Sequence, residues 1–369
     1  MTGKMQHINE GYMENLIIYK ENKIKDIKAI KYYRDISVNG ILLDNFENLE
    51  ELDQLFSWAS YLKTNSIRLF LNIDIAIILK KLIGEDFAWS NPKIRNSFYQ
   101  FINFLIKRGI CGFYFTNLDK LIGDNSYLSL IKEFSKNTIS KDGIVSIVET
   151  SKNPYFLNYL SNPIYNNFSY VDIDNEALDF IEYKKYIATI QDMENNKNIN
   201  QIIKLDQSFQ SFTNTKNYPY QSMSLICGIS YFHRGAVMIE NLEELGFASG
   251  IDNTNAYKFS SYSKRIRDFY KDILSYKGSS PVLSSGNYRQ IFVNDSDIYA
   301  YIRSHDGEKV LVFGNFSQKE VLVDIRLHFL DLYDFSYLIG NYGKRRIVKN
   351  LLLRPYEFVA FIKNNKLTN

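Results

Sequence analysis

Only two cysteines, Cys111 and Cys227, occur in 369 residues, and both lie in apolar stretches. Placed so, they read as buried free thiols rather than a disulfide framework. No Cys-x-x-Cys and no Cys/His spacing is present, so neither zinc nor any other metal or cofactor is expected. Proline is scarce at six residues, and alanine is sparse beside abundant Asn, Lys, Ile and Tyr. We attribute that to nucleotide bias in the source genome, and it carries no functional weight. No apolar run reaches the roughly 18 residues of a membrane helix. Residues 1–19 lack a signal-peptide core, so the chain as given reads as soluble. Charge of one sign is missing too: 44 Lys and Arg against 41 Asp and Glu leave a net charge of +3. That balance gives no footprint for nucleic acid. The cluster Lys344-Arg345-Arg346 follows Asn341-Tyr342-Gly343 and reads as a solvated turn. Sequons at Asn167, Asn294 and Asn315 are what an Asn-rich chain produces by chance, and they are weak evidence for secretion.

What is present is an ordinary globular composition, 45% hydrophobic and 23% charged. The length suits a large barrel with a smaller module. Short apolar runs at 15–19, 40–43, 67–73, 111–115 and 144–148 alternate with helical patterns at 25–35, 49–63, 92–108 and 126–135. This βα rhythm fits a (β/α)8 TIM barrel better than an open sheet. After about residue 274 the pattern becomes short strands at 288–293, 298–304, 309–315, 320–325 and 358–362. Asp306-Gly307 between two of them is a hairpin signal. The expected organisation is a barrel over 12–274 and an all-β antiparallel sandwich domain over 275–365. A helix at 257–276 leads from one to the other, and the polar stretch 194–201 reads as a loop.

The segment Gly112-Phe113-Tyr114-Phe115-Thr116 resembles the fourth barrel strand of the α-amylase family, glycoside hydrolase family 13. In that family a Gly-Phe pair is followed by Arg, one apolar residue and the nucleophilic Asp. Here those two positions read Tyr114 and Thr116. Residues 67–74, ending in Asp74, are similar to the third strand, but Ile77, Ile78 and Leu79 stand where the family has Asn-His. Glu149 closes a segment similar to the fifth strand and matches the acid/base position. Asp206 matches the Asp of the seventh-strand Asn-His-Asp motif, with Leu205 in place of His and no Arg beyond it. Gly235 to Gly246 resembles the eighth strand with its Glu-Glu-Leu-Gly exit. In the β module, Val310 to Ser317 ends in the family's Asn-Phe-Ser. The family's inserted subdomain between the third and fourth strands is almost absent.

Retaining glycosidases need two carboxyl groups about 5–5.5 Å apart. Thr116 is a poor nucleophile without an adjacent base, and no His lies in a barrel motif. The resemblance therefore implies a vestigial pocket of Asp74, Tyr114, Thr116, Glu149 and Asp206 with no catalytic residue expected. Taken by themselves, Asp74 reads as a cap of the following turn, and Asp206 as a plain loop residue. The combination is similar to the ectodomain of the heavy subunits of heteromeric amino-acid transporters. It implies an inactive interaction scaffold whose partner is a membrane transporter light subunit or another protein. Those subunits carry a membrane helix and a nearby linking Cys, and this sequence shows neither. A chain with a missing N-terminal segment would be extracellular or attached to the cell surface. The alternative is a divergent α-glucosidase-like hydrolase using Glu149 and Asp206, with Asp119 or Asp124 as a shifted carboxylate. Binding alone is also open, with Tyr114, Phe115 and Phe209 stacking on an α-glucoside.

Overall fold

Glycine decides how the inside of the barrel is filled. In the computed structural model, a Cβ at Gly40 would lie 2.8 Å from the Phe70 ring. At Gly112 it would lie 2.7 Å from the same ring and 2.3 Å from the Val145 carbonyl oxygen. The two glycines flank Phe70 on neighbouring strands and give its ring the space it fills. The structure describes residues 15–25, 28–44, 46, 51–84, 90–116, 133, 144–150, 167–171, 179–197, 200–205, 212–214, 216–246, 261–325 and 332–363. The helix expected at 126–135 lies, apart from residue 133, outside them.

The chain divides into two compact units, one of residues 1–174 with 197–202 and one of 175–196 with 203–369. Eight strands follow one another in sequence order around a closed barrel. They are β1 (Ile17–Glu21), β2 (Gly40–Leu43), β3 (Arg68–Asp74), β4 (Gly112–Thr116), β5 (Val145–Thr150), β6 (Asn167–Val171), β7 (Asn200–Lys204) and β8 (Ala236–Ile239). The pairings from β1 to β7 are parallel. The TIM-barrel reading of the sequence therefore holds.

Among the described residues, the helices of the first unit include α1 (Ala29–Asp35), α2 (Leu52–Thr64), α3 (Ile75–Ile83) and α4 (Pro92–Lys107). Pro92 opens α4, where its missing N–H costs nothing, and the Asn91 side chain caps the Lys93 N–H at 3.0 Å. Strand residues of one parity, such as Leu69, Leu71, Ile73, Phe113 and Phe115, are almost fully buried. They form the apolar cover that the helices need. The other parity runs through Gly40, Phe70 and Gly112 toward polar residues at the C-terminal ends of the strands.

Further along the chain, α5 (Phe180–Lys197) and β7 occupy most of the polar stretch expected as a loop at 194–201, so that expectation is corrected. Backbone hydrogen bonding there overrides the turn-like composition. Further on come α6 (Pro219–Tyr231), a short 3-10 turn (Glu243–Leu245), α7 (Ser261–Ser279) and the one-turn α8 (Pro281–Ser284). The β module consists of β9 (Asn287–Ile291), β10 (Ile298–His305), β11 (Glu308–Asn315), β12 (Val321–Asp324), β13 (Ser336–Gly340), β14 (Asn350–Leu353) and β15 (Phe358–Lys363). They form a five-stranded sheet, β13-β15-β11-β10-β9, and the pair β12-β14. Ile298, Ala300 and Ile302 of β10 share a buried core with Val323, Leu351 and Leu353 of the pair. The alternate β10 residues Tyr299, Tyr301 and Arg303 are also buried, on the sheet's other face. There α6 approaches closely: a Cβ at Gly228 would lie 2.5 Å from the Phe358 ring, and one at Gly314 2.7 Å from Leu225.

Candidate active site

Polar side chains gather at the C-terminal ends of the first four strands, the end at which barrel enzymes build their sites. Asp44 follows β2 directly and accepts an ion pair from Lys20 of β1 at 3.0 Å. Its other oxygen accepts a hydrogen bond from the Asn72 side-chain amide of β3. Asn72 in turn accepts from the Thr116 hydroxyl of β4 at 3.3 Å. Lys20, Asp44, Asn72 and Thr116 thus form one hydrogen-bonded chain across four strands. Its members come from segments 28 and 44 residues apart in sequence, counting Asp44 to Asn72 and Asn72 to Thr116.

Asp74 stands in register with Thr116 on the adjacent strand. Its Oδ1 accepts from the backbone N–H groups of Ala76 at 2.9 Å and Ile77 at 3.2 Å, capping α3. Tyr114 is buried at 5% exposure and is in register with Asn72. The aliphatic residues expected in place of the family's Asn-His pair belong to α3, with Ile78 and Leu79 fully buried. Glu149 is the fifth residue of β5, one step beyond the Phe115–Val148 register pair and opposite Tyr170 of β6. Asp206, Asp119, Asp124 and Phe209 lie outside the described residues.

Glu21 also ends a strand, yet it belongs to the helix side. The Tyr33 hydroxyl donates to it at 2.6 Å, and Lys25 pairs with its other oxygen at 3.3 Å. Burial raises its pKa, and Tyr33 and Lys25 oppose that rise. In the second unit, Lys204 at the end of β7 lies 3.7 Å from Glu240, which follows β8. Just beyond, Glu243 is buried with the Tyr231 and Tyr270 hydroxyls donating to its Oε1, the latter at 2.9 Å. Its Oε2 accepts the Glu240 N–H at 3.1 Å. Burial pushes its pKa up to about 8 against those three donors.

Among the described residues, no group of three or more His, Cys, Asp or Glu could hold a metal ion. No helix among them is long and apolar enough to cross a membrane. Sequence reasoning singled out Asp74, Tyr114 and Thr116 but missed Lys20, Asp44 and Asn72. The available signal was parity: Asn72 lies two residues before Asp74 on the same strand face, and Asp44 is the first polar residue after β2.

Residues 298–359 match the family model described as the α-amylase SusG C-terminal domain. An oligo-1,6-glucosidase from Bacillus cereus is 26% identical over 122 residues, 33% of this chain and 20% of that protein. The match thus spans about a fifth of the curated relative's length. Among solved structures, the trehalose-6-phosphate hydrolase of Bacillus licheniformis superposes with a TM-score of 0.77 at 14% identity. That superposition covers 95% of this chain and 99% of the other. A MutB variant in complex with glucose gives a TM-score of 0.79 at 13% identity, with the same coverage. At such identities the superpositions show the fold. The relative matched in sequence is named as a glycoside hydrolase, and this overturns the expectation of an inactive scaffold. The physical reason for the error is that lost motifs were counted, whereas a pocket's chemistry depends on which groups converge there. The likeness to transporter heavy subunits, with a transporter partner, gains no support. Together the comparisons support the α-amylase family, glycoside hydrolase family 13, as the group to which this chain is similar.

Proposed function

We propose that this chain is a divergent α-glucosidase-like glycoside hydrolase that takes an α-glucoside at the C-terminal end of its barrel. The observation that carries this reading is the polar rim. Lys20, Asp44, Asn72 and Thr116 keep a connected set of donors and acceptors where a purely structural barrel end needs none. Such groups are suited to orienting sugar hydroxyls, and orientation supplies part of catalysis. The MutB complex with glucose supports a sugar as the ligand class.

In this reading Glu149 is the proton donor to the leaving oxygen, and the second carboxyl group comes from Asp206, Asp119 or Asp124. The Thr116 hydroxyl bonds Asn72 and positions; it does not attack carbon. Asp74 spends its Oδ1 on two backbone N–H groups and stays out of the reaction. We retain the division into a barrel over 12–274 and a β domain over 275–365 as part of the proposal.

Purified protein incubated with maltose, isomaltose and p-nitrophenyl α-glucoside tests it. Turnover is expected, with Glu149→Gln lowering kcat by about 100-fold or more. Binding of the sugars without turnover would favour a carbohydrate-binding role. Absence of both would remove the proposal.

A further inference from the structure

The pair β12-β14 turns one face to the core of the β module and leaves the other to solvent. Val323, Leu351 and Leu353 belong to the core and are 4% exposed or less. The alternate residues of such a pair are ordinarily polar. Here Leu322 and Leu352 take that outward parity, directly opposite each other in the antiparallel register. Leu322 is 63% exposed and Leu352 41%. Opposed Cβ atoms on neighbouring strands lie about 5 Å apart, so the two side chains form one apolar spot. The Ile325 N–H donates to the Lys349 carbonyl at 2.9 Å, which carries the pairing past Asn350. Val348, 48% exposed and of the same parity as Leu352, extends the spot by roughly 13 Å.

Cations surround this spot, including the basic run that reads in the sequence as a solvated turn. Glu357, 1% exposed, organises them from beneath. It accepts from the Arg345 guanidinium at 2.8 and 3.0 Å and from the Arg354 N–H at 2.7 Å. The Arg354 guanidinium stands 5.2 Å from the Tyr342 ring, whose hydroxyl donates to the Pro355 carbonyl at 2.7 Å. Residues 342–346 are thus laid against 354–357. Arg345 is neutralised by Glu357, whereas Lys344, Arg346, Lys349 and Arg354 are exposed. Among the described residues, Lys344, Arg346 and Lys349 make no ion pair. Glu320, exposed, and Asp324, half-buried, are the acidic residues of β12 and its approach. Positive charge is in excess.

A partner for this face must bring negative charge and an apolar layer together. A second copy of the chain, face to face, sets the same cations against one another, which is unfavourable. A nucleic acid or a free phosphate engages the cations and leaves Leu322, Val348 and Leu352 in water. A bilayer containing anionic lipid supplies phosphate headgroups at its surface and acyl chains just beneath. Each part of the face then meets its complement.

We propose that the outward face of β12-β14, with the cations of residues 344–354 around it, docks this protein on an anionic bilayer surface. Leu322, Val348 and Leu352 enter the headgroup layer, and Lys344, Arg346, Lys349 and Arg354 pair with lipid phosphates. The docking is peripheral, and it is independent of the α-glucoside reading of the barrel.

Flotation of the full chain with vesicles tests it, comparing phosphatidylcholine alone with a mixture of about three parts phosphatidylcholine to one of phosphatidylglycerol. Binding to the mixed vesicles is expected to be at least about tenfold tighter than to neutral ones, and to weaken as salt rises. Two double variants separate the contributions: Lys344→Gln with Arg346→Gln, and Leu322→Ser with Leu352→Ser. All four side chains are exposed, and thermal melts verify that both variants fold. Each should weaken vesicle binding about tenfold. Wild-type protein that does not float with the mixed vesicles would overturn the proposal. Binding that inorganic phosphate competes away, and that the leucine variant leaves intact, would overturn it in favour of a free anion. Equal capture on poly-glutamate would assign the face to an acidic protein instead. A leucine-dependent dimer without lipid binding would assign it to a second copy.

Discussion

Two regions of this molecule handle their polar groups in opposite ways. In the barrel rim of the first unit, side chains bond side chains: Lys20 to Asp44, Asp44 to Asn72, Asn72 to Thr116. In the helix–sheet seam of the second unit, charged side chains bond backbone. Arg303, with no exposed surface, donates to the carbonyls of Phe232, Leu283 and Gly286. Lys277 donates to the carbonyls of His233 and Leu283, and Lys184 to those of Phe292, Asp295 and Ile298. Backbone carbonyls are fixed by the fold, so the seam's cations cannot change without leaving acceptors stranded. A chain of side chains can be rewritten one residue at a time. The seam is therefore tied to the architecture, while the rim can be altered residue by residue.

The largest expected effect tests the seam. Arg303→Met removes a buried fork and leaves the Phe232 and Gly286 carbonyls without their side-chain donor, while Leu283 keeps Lys277. We expect a loss of about 3–5 kcal/mol in unfolding free energy. Denaturant titration measures it, with m-values showing whether the transition stays two-state. A loss below about 1 kcal/mol would mean that the seam is as replaceable as the rim.

A second effect depends on pH. Burial disfavours the charged form of Glu243 and pushes its carboxyl up to about 8 from an ordinary value of 4.5. A carboxyl whose folded pKa is raised binds its proton more tightly in the native state. Its contribution is fully present below about pH 4.5 and is lost as pH rises through about 8. Stability should therefore fall across that interval. Glu243→Gln, which cannot ionise, should flatten the fall when melts are compared at pH 5 and 8. A wild-type profile already flat there would show that the Tyr231, Tyr270 and Glu240 donors outweigh the burial.

The β module was legible in the sequence at one place, and the reason there is local. Asn315 opens the Asn-Phe-Ser match: its amide donates to the carbonyls of Lys319, Leu353 and Arg354, and its Oδ1 accepts the Ser317 N–H. No other side chain of that size offers two donors and an acceptor there. Gly112 was visible as half of the Gly-Phe pair, whereas the Phe70 ring for which it makes room emerges only from the structure. Helix α6 escaped notice because residues 222–231 are all buried, so the segment has no polar face and no 3.6-residue rhythm. Strands β13 and β14 escaped because each is short, at five and four residues, and lies between turns. The rim network could not be found by spacing, since its partners lie on different strands. Counting missing motif residues then led to the wrong functional expectation.

The smallest expected effect tests the rim. Thr116→Val keeps the side chain's shape and deletes only the hydroxyl that donates to Asn72 at 3.3 Å, a long bond at a half-buried site. Asn72 keeps the bond that its amide nitrogen donates to Asp44, and because the residue is half-buried its Oδ1 is not left in a dry interior when the Thr116 donor is removed. The expected cost is below about 1 kcal/mol, against several for Arg303→Met. Sugar affinity is the sharper measurement. If Thr116 orients Asn72 toward a bound glucoside, KM for p-nitrophenyl α-glucoside should rise severalfold while kcat changes little. A large fall in kcat with KM unchanged would make Thr116 part of the chemistry, and a stability loss rivalling that of Arg303 would make the rim a structural element. Either result would break the contrast between a seam held by backbone and a rim free to diverge.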